Sequence, residues 1–288
     1  MRTSALKTAD LQQAEIESIR RVLRSPKYEL IPLKNVLDQS EFLPDGATVS
    51  VTASPQKGMM ATIDLTIELM NRGFDAIPHI SARLTTDRSE LETILTRLED
   101  AGINRAFVVG GDTEDYGEFF DGLALLAAME EIGHGITEIG VPGYPEGHHI
   151  VDVPTISRAL EEKLPYASYI TSQMCFVPDT INEWVGGLRR SGIGLPVHIG
   201  IPGVAELKRL IAISMRIGVG ASAGFLSKNK SLAGRLVKPG GYSPDDLIIG
   251  LAPLLADPVA NIAGFHVYTF NAVDTTEQWR HEMLDALG

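Results

Sequence analysis

Eight short β-rich runs, most of them followed by a stretch of helical periodicity, set the strongest limit on how this 288-residue chain can fold. The runs are 28–31, 48–52, 76–79, 106–112, 136–144, 169–173, 197–202 and 264–271. Alternating β and α elements in this number are expected to close into a parallel barrel. The length would also suit two domains, but a barrel of roughly 250 residues forms one. The expected architecture is therefore α/β: a single (β/α)8 TIM barrel over residues 1–288. Residues 1–27 form an N-terminal helical extension, and a long excursion precedes the last strand. Barrel chemistry sits at the carboxyl ends of the strands. Those ends carry Glu29, Thr52, His79, Asp112, Tyr144, Gln173 and Asn271.

Helical signals fill the spaces between. Leu11, Ile16, Ile19, Val22 and Leu23 form one stripe, with Thr8 or Asp10 as cap; a helix there is expected to cover the barrel floor. Pro32 to Pro44 has room for a turn or two. Longer helices are expected over 59–72, from Asp87 or Ser89 up to Gly102, and over 123–132, 154–164 and 179–191. The excursion should hold a helix near 205–217. Ser243-Pro244-Asp245-Asp246 is a good start for another. Phe107-Val108-Val109 is continuously apolar, as a strand buried on both faces requires.

A net charge of −12 argues against a nucleic-acid-binding surface. One cysteine, Cys175, excludes an intrachain disulfide and fits a reducing cytoplasm. No run of 18 apolar residues exists, so no membrane span is expected. The amino terminus carries acids and no apolar core, and reads as neither a secretory signal nor a transit peptide. The expected location is cytoplasmic. A homodimer is expected only because barrels of this size often pair.

Three local patterns bear on chemistry. Glu29 is a carboxylate inside an apolar strand, where burial raises its pKa toward that of a general acid at neutral pH. A carboxylate paired with Lys or Arg inside the barrel is the plainer reading. Val109-Gly110-Gly111-Asp112 puts paired glycines where a ligand could approach the backbone, with Asp112 at the barrel mouth. Alternatively, Asp112 caps the next helix. The third pattern, Gly140 to His149, fixes an unusual backbone with two prolines and carries Tyr144, Glu146, His148 and His149. A metal there has little support, because adjacent histidines rarely face one point. His79 fits a ligand-bonded ring or a satisfied core histidine equally. Cys175 reads as a buried, inert thiol. Gly218 to Gly224 looks like a phosphate loop but lacks the Lys-Ser/Thr ending.

Taken together the motifs resemble the methylenetetrahydrofolate reductase family from about Tyr28 onward. Tyr28-Glu29-Leu30-Ile31-Pro32 is similar to that family's Phe-Glu-Phe-Phe-Pro strand, and Val49-Ser50-Val51-Thr52 to its second. Ile77-Pro78-His79-Ile80-Ser81, Gly111-Asp112, Gly143-Tyr144-Pro145-Glu146-Gly147-His148, Ile170-Thr171-Ser172-Gln173 and Gly264 to Asn271 follow in the family's order. The resemblance implies hydride transfer between 5,10-methylene- and 5-methyltetrahydrofolate, through FAD reduced by NADH or NADPH. It implies Glu29 as the acid that protonates the folate as its five-membered ring opens. Asp112 would bond the pterin and tune the flavin, and Gln173 would bind folate. Thr52, His79, Gly111, Tyr144 and His148 would hold the cofactor.

Departures mark a divergent branch. Gly110 replaces the arginine of the family's Arg-Gly-Asp turn, and Lys57 to Thr62 replaces an Arg-Asp-Arg-Thr stretch. Arg158 and Lys163 stand in for the flavin-phosphate contacts. Hydride passing directly from the nicotinamide is the variant such departures suggest. The rival functions are a metal-dependent barrel lyase or hydrolase using His148 and His149, and a non-catalytic folate-binding barrel.

Overall fold

A computed structural model describes residues 11–148, 151–206, 210, 213, 237–238 and 241–288. Eight strands form a closed, all-parallel barrel: β1 (Lys27–Leu30), β2 (Thr48–Val51), β3 (Asp75–Ser81), β4 (Arg105–Val109), β5 (Glu138–Gly143), β6 (Tyr169–Ser172), β7 (Val197–Pro202) and β8 (Ile262–Tyr268). Their order round the barrel is that of the chain, and β1 closes it against β8 with Lys27 opposite His266 and Glu29 opposite Tyr268. The expected barrel is therefore present, with strand limits shifted by a few residues.

Among the described residues the α-helices are α1 (Gln13–Arg24), α2 (Val36–Ser40), α3 (Gly58–Asn71), α4 (Arg88–Asp100), α5 (Gly122–Ile132), α6 (Val153–Lys163), α7 (Pro178–Arg190), α8 (Asp245–Gly250), α9 (Ala252–Ala256) and α10 (Val273–Ala286). Their starts follow local chemistry. Asp87 caps α4 by accepting from Glu90 N, Asp121 caps α5 by accepting from Leu123 and Ala124 N, and Asp152 caps α6 by accepting from Thr155 N. The cap of α1 is Gln12, whose N–H donates to Glu15 Oε2 at 2.8 Å; Thr8 and Asp10 lie outside the described residues. Nor does α1 lie across the floor. It packs on the flank against α9, α10 and β8, and Arg21 donates to the Ile262 carbonyl at the amino end of β8. Most of the 205–217 helix, the Gly218–Gly224 loop and most of the Lys228–Lys238 stretch fall outside the described residues.

Alternation along each strand separates two environments. Tyr28, Leu30, Val49, Val51, Val108, Val141, Ile170, Ile199 and Val267 face the helices and join the main apolar core. The lumen differs. A typical barrel interior is packed with branched apolar side chains. Here it holds Lys27, Glu29, Ser50, His79, Tyr169, His198 and His266 beside a small apolar group of Ile77, Phe107 and Tyr169. Contacts between non-adjacent strands prove the placement. Lys27 of β1 lies over the Tyr169 ring of β6 at 3.6 Å, and His79 of β3 faces His266 of β8 with ring centres 6.5 Å apart. Gly140 makes room, since a Cβ there would meet the Tyr169 ring at 2.3 Å.

Candidate active site

Glu29 is buried, as its place in an apolar strand predicts, with its carboxyl inside the lumen. Its Oε2 lies 3.3 Å from His266 Nε2. Burial raises its pKa from the ordinary 4.5 to about 7, and nearby His79 offsets only part of that. Both histidines are neutral near pH 7. Burial lowers His79 to about 4 and His266 to about 3, with the Lys27 charge adding to the second shift. The Glu29–His266 contact is therefore a hydrogen bond between buried groups and not an ion pair.

His79 Nε2 is fixed by Ser50 Oγ at 2.6 Å, and its ring tilts against Phe107 at 4.7 Å. Potential ligand atoms of Glu29, His79 and His266 fall within 4.8 Å of one another. His79 Nε2 is engaged by Ser50 outside the trio, while His266 Nε2 and Glu29 Oε2 engage each other within it. His148, half of the alternative metal pair, stacks edge-on against Tyr144 at 5.1 Å, and His149 lies outside the described residues.

Above the cluster, Thr52, His79, Gly111 and Asp112 line a recess of about 160 Å³. Gly111 and Asp112 also line a larger cleft of about 830 Å³ with Tyr144, His148 and Lys163. Five sequence candidates thus meet around one opening, and His79 and Thr52 join them from the recess side. Gly111 takes φ +91°, and a Cβ there would sit 2.4 Å from Ser81 Oγ, so only glycine suits this wall.

Other candidates sit differently from a simple strand-end picture. β4 ends at Val109, and Asp112 stands in the following loop with 72% of its side chain exposed. Asp112 does not cap α5; Asp121 does. Its neighbours are His148, at 3.9 Å, and Tyr144, whose phenol is pushed to about 12 by burial and by the Asp112 charge. Gln173 is half-buried, and its Oε1 accepts from Met174 N. Arg158 is exposed on α6 and is not among the residues that line the cleft, whereas Lys163 is, with its pKa lowered by burial. Asn271 ties the ends of β1 and β8 together, its amide accepting from Ile31 N and donating to Ile31 O at 2.8 Å each. Cys175 is buried and donates to Glu146 Oε1 at 3.3 Å.

Residue-by-residue reasoning passed over Lys27, Tyr169, His198 and His266. A signal was present: Lys27/Glu29 and His266/Tyr268 place polar groups at every second position, the spacing of one strand face. It also passed over Trp184 and Glu183 on α7, which form the far wall of the cleft.

Known proteins share features with this chain. An uncharacterized protein from Clostridium thermocellum that binds two copies of 5-methyl-5,6,7,8-tetrahydrofolic acid shares the fold at TM-score 0.61 and 11% identity, over 96% of this chain and 98% of that one. A phosphonopyruvate hydrolase solved with oxalate and Mg matches at TM-score 0.45 and 11% identity, over 93% and 84%. The family model described as methylenetetrahydrofolate reductase matches residues 32–283. That span covers seven of the eight strands and every candidate site residue except Glu29. With the barrel closed and the motifs gathered at its mouth, the chain belongs to the methylenetetrahydrofolate reductase family.

Proposed function

We propose that this protein interconverts 5,10-methylenetetrahydrofolate and 5-methyltetrahydrofolate, with Glu29 as general acid. The observation that carries the reading is a carboxyl buried beside His79, which lines the recess at the barrel mouth, with burial raising that carboxyl toward 7. Such a group keeps a proton at neutral pH and can still give it up. Glu29 donates that proton to the folate nitrogen that leaves the methylene carbon as the five-membered ring opens. Hydride then reaches the same carbon, and a methyl group results. The proton ends on the folate, so the carboxylate must be recharged before the next cycle.

Family membership supports a folate substrate, and the Clostridium thermocellum barrel supports it further. Asp112 lines the opening, and with Gln173 it is the group proposed to hold the pterin. The cleft fits FAD in three respects. Its volume falls in the range of roughly 300–1,000 Å³ usual for ligand sites, its wall at Gly110 and Gly111 is bare backbone, and Lys163 supplies a half-buried cation. When bound, FAD would take hydride from NADH or NADPH and pass it on. Tyr144 and His148 would position it, and Lys163 would face its phosphates.

Glu29→Gln tests the assignment. Turnover should fall ~10²–10⁴-fold, the usual range for one general acid, while the barrel stays folded and folate still binds. Full turnover in a folded Glu29→Gln protein would remove Glu29 from the mechanism.

A further inference from the structure

Recharging Glu29 poses a physical problem, because its carboxyl is buried in the lumen beneath the barrel mouth. In the proposed reaction, on which this inference rests, folate and cofactor cover that mouth. The lumen below Glu29 offers another way in. Lys27 is two residues earlier on β1 and faces the same lumen, and its register partner on β8 is His266. His266 Nε2 meets Glu29, while its Nδ1 is buried with no hydrogen-bond partner among the described residues. Lys27 Nζ is buried and likewise lacks a hydrogen bond. Unsatisfied buried polar atoms are uncommon, and such atoms facing one lumen are what a bridging water satisfies. Lys27 Nζ also lies 3.8 Å from Glu138 Oε1. Glu138 opens β5 at the amino end of the barrel, and its side chain is 38% exposed. A line of groups thus runs from solvent through Glu138, Lys27 and His266 to Glu29.

We propose that Lys27 and His266 form an internal proton relay that recharges Glu29 from the amino-terminal end of the barrel. The Lys27 ammonium gives a proton, through one bridging water, to His266 Nδ1. In the same event the Nε2–H of His266 passes its proton to the Glu29 carboxylate. One proton enters the ring as one leaves, so no buried imidazolium accumulates. Lys27, now a neutral amine, regains its proton from solvent beside Glu138. His266 regains the Nε2–H tautomer through water once product has left, Nε2 taking up one proton as Nδ1 releases one.

The surroundings suit each part. Lys27 is faced by Arg105 on β4, Glu138 on β5, Asp75 on β3, Tyr169 on β6, and His198 and His266. Burial and the Arg105 charge lower its pKa to about 7, so it exchanges protons near neutrality. Glu29 is faced by His79, His266 and Tyr268. Lys27 and His266 are positioning residues here: both act on folate only through Glu29.

The test compares the full chain with its Lys27→Met, His266→Gln and Glu29→Gln variants. His266→Gln keeps an N–H for Glu29 but has no second nitrogen to take up a proton. With Lys27→Met, a first turnover from protonated Glu29 at pH 6 should run at the normal rate, and later turnovers of both relay variants should slow. Their steady-state rate at pH 8 should fall ~10–100-fold, with a larger solvent deuterium isotope effect. Wild-type steady-state rates and isotope effects in both would overturn the relay. In Lys27→Met, a first turnover slowed as much as later ones would overturn it too, by showing a merely structural role. If one variant does not fold, the other decides. Infrared spectroscopy gives a readout that needs no turnover. The protonated Glu29 band, identified by its loss in Glu29→Gln, should exchange into D2O at least ~10-fold more slowly in the relay variants when 5-methyltetrahydrofolate is bound. Equal exchange rates would sink the relay and leave the acid standing. Absence of the band at pH 6, or full turnover by Glu29→Gln, would remove the acid and the relay with it.

Discussion

Tyr28 and Glu29 are neighbours in the chain and serve opposite sides of one strand. Tyr28 Oη donates a 2.5 Å hydrogen bond to Glu277 on α10, outside the barrel, while Glu29 meets His266 inside it. The outer contact belongs to a buried trio, since Arg280 also holds Glu277 at 2.7 Å and donates to the Leu23 carbonyl. Tyr28→Phe removes one donor and leaves the ion pair; it should cost about 1–3 kcal/mol. Arg280→Met leaves Glu277 without its counter-charge and should cost about 3–5 kcal/mol. Urea unfolding measures both, and neither should move the pH profile of turnover.

The lumen should make stability depend on pH in two opposing ways. Glu29 has a folded pKa of about 7 against an ordinary 4.5. Its contribution is intact below pH 4.5 and is lost as pH rises to 7, on the order of 3 kcal/mol. Glu29→Gln should therefore stabilise the fold at pH 8 and change little at pH 4. His79, His198 and His266 have folded pKa values of about 4, 2 and 3, below the ordinary 6.5. Their contribution is intact above pH 6.5 and is lost as pH falls. At pH 5.5 unfolding should take up about three protons at the histidines and release about one from Glu29. Urea midpoints measured across pH 4–8, for wild type and Glu29→Gln, check both signs.

Gly140→Ala should disturb the lumen without touching the mouth. The added Cβ would fall 2.3 Å from the Tyr169 ring, which supports Lys27 at 3.6 Å. Overpacking of this kind costs about 1–3 kcal/mol. A lowered thermal midpoint with a shifted Lys27 titration is the expected result. Unchanged values for both would mean that Tyr169 repacks freely.

Purified protein should show flavin absorption bands that are released on denaturation. Lys163→Glu should weaken FAD binding ~10–100-fold, the equivalent of one lost charge-assisted contact of about 1.5–3 kcal/mol. A colourless protein that gains neither colour nor activity from added FAD would rule out the flavin route. Direct hydride transfer from NADH or NADPH would then be the assay to run.

Much of the frame was legible along the chain because it rests on local chemistry. Strand and helix alternated with the right number and spacing, and Asp87 and the Ser243–Asp246 start marked helix limits. Glu29 stood out because an acid among apolar strand residues is anomalous without any partner in view. The loop after β4 was harder. Paired glycines signalled a close approach, but whether Asp112 points inward depends on loop geometry, and it stands largely exposed. Arg158 and Lys163 are five residues apart on one helix, and only packing against β5 and α5 decides which reaches the cleft.

By itself the sequence determined the element order, the parallel barrel and the presence of an acid where water is scarce, because periodicity and burial cost act within a few residues. Tertiary structure alone decided what surrounds that acid. Lys27, His79, Tyr169, His198 and His266 come from five strands, and closure of β1 on β8 brings them into one lumen. Their neutral histidines and proton-exchanging lysine arise from that shared desolvation, which no residue produces alone.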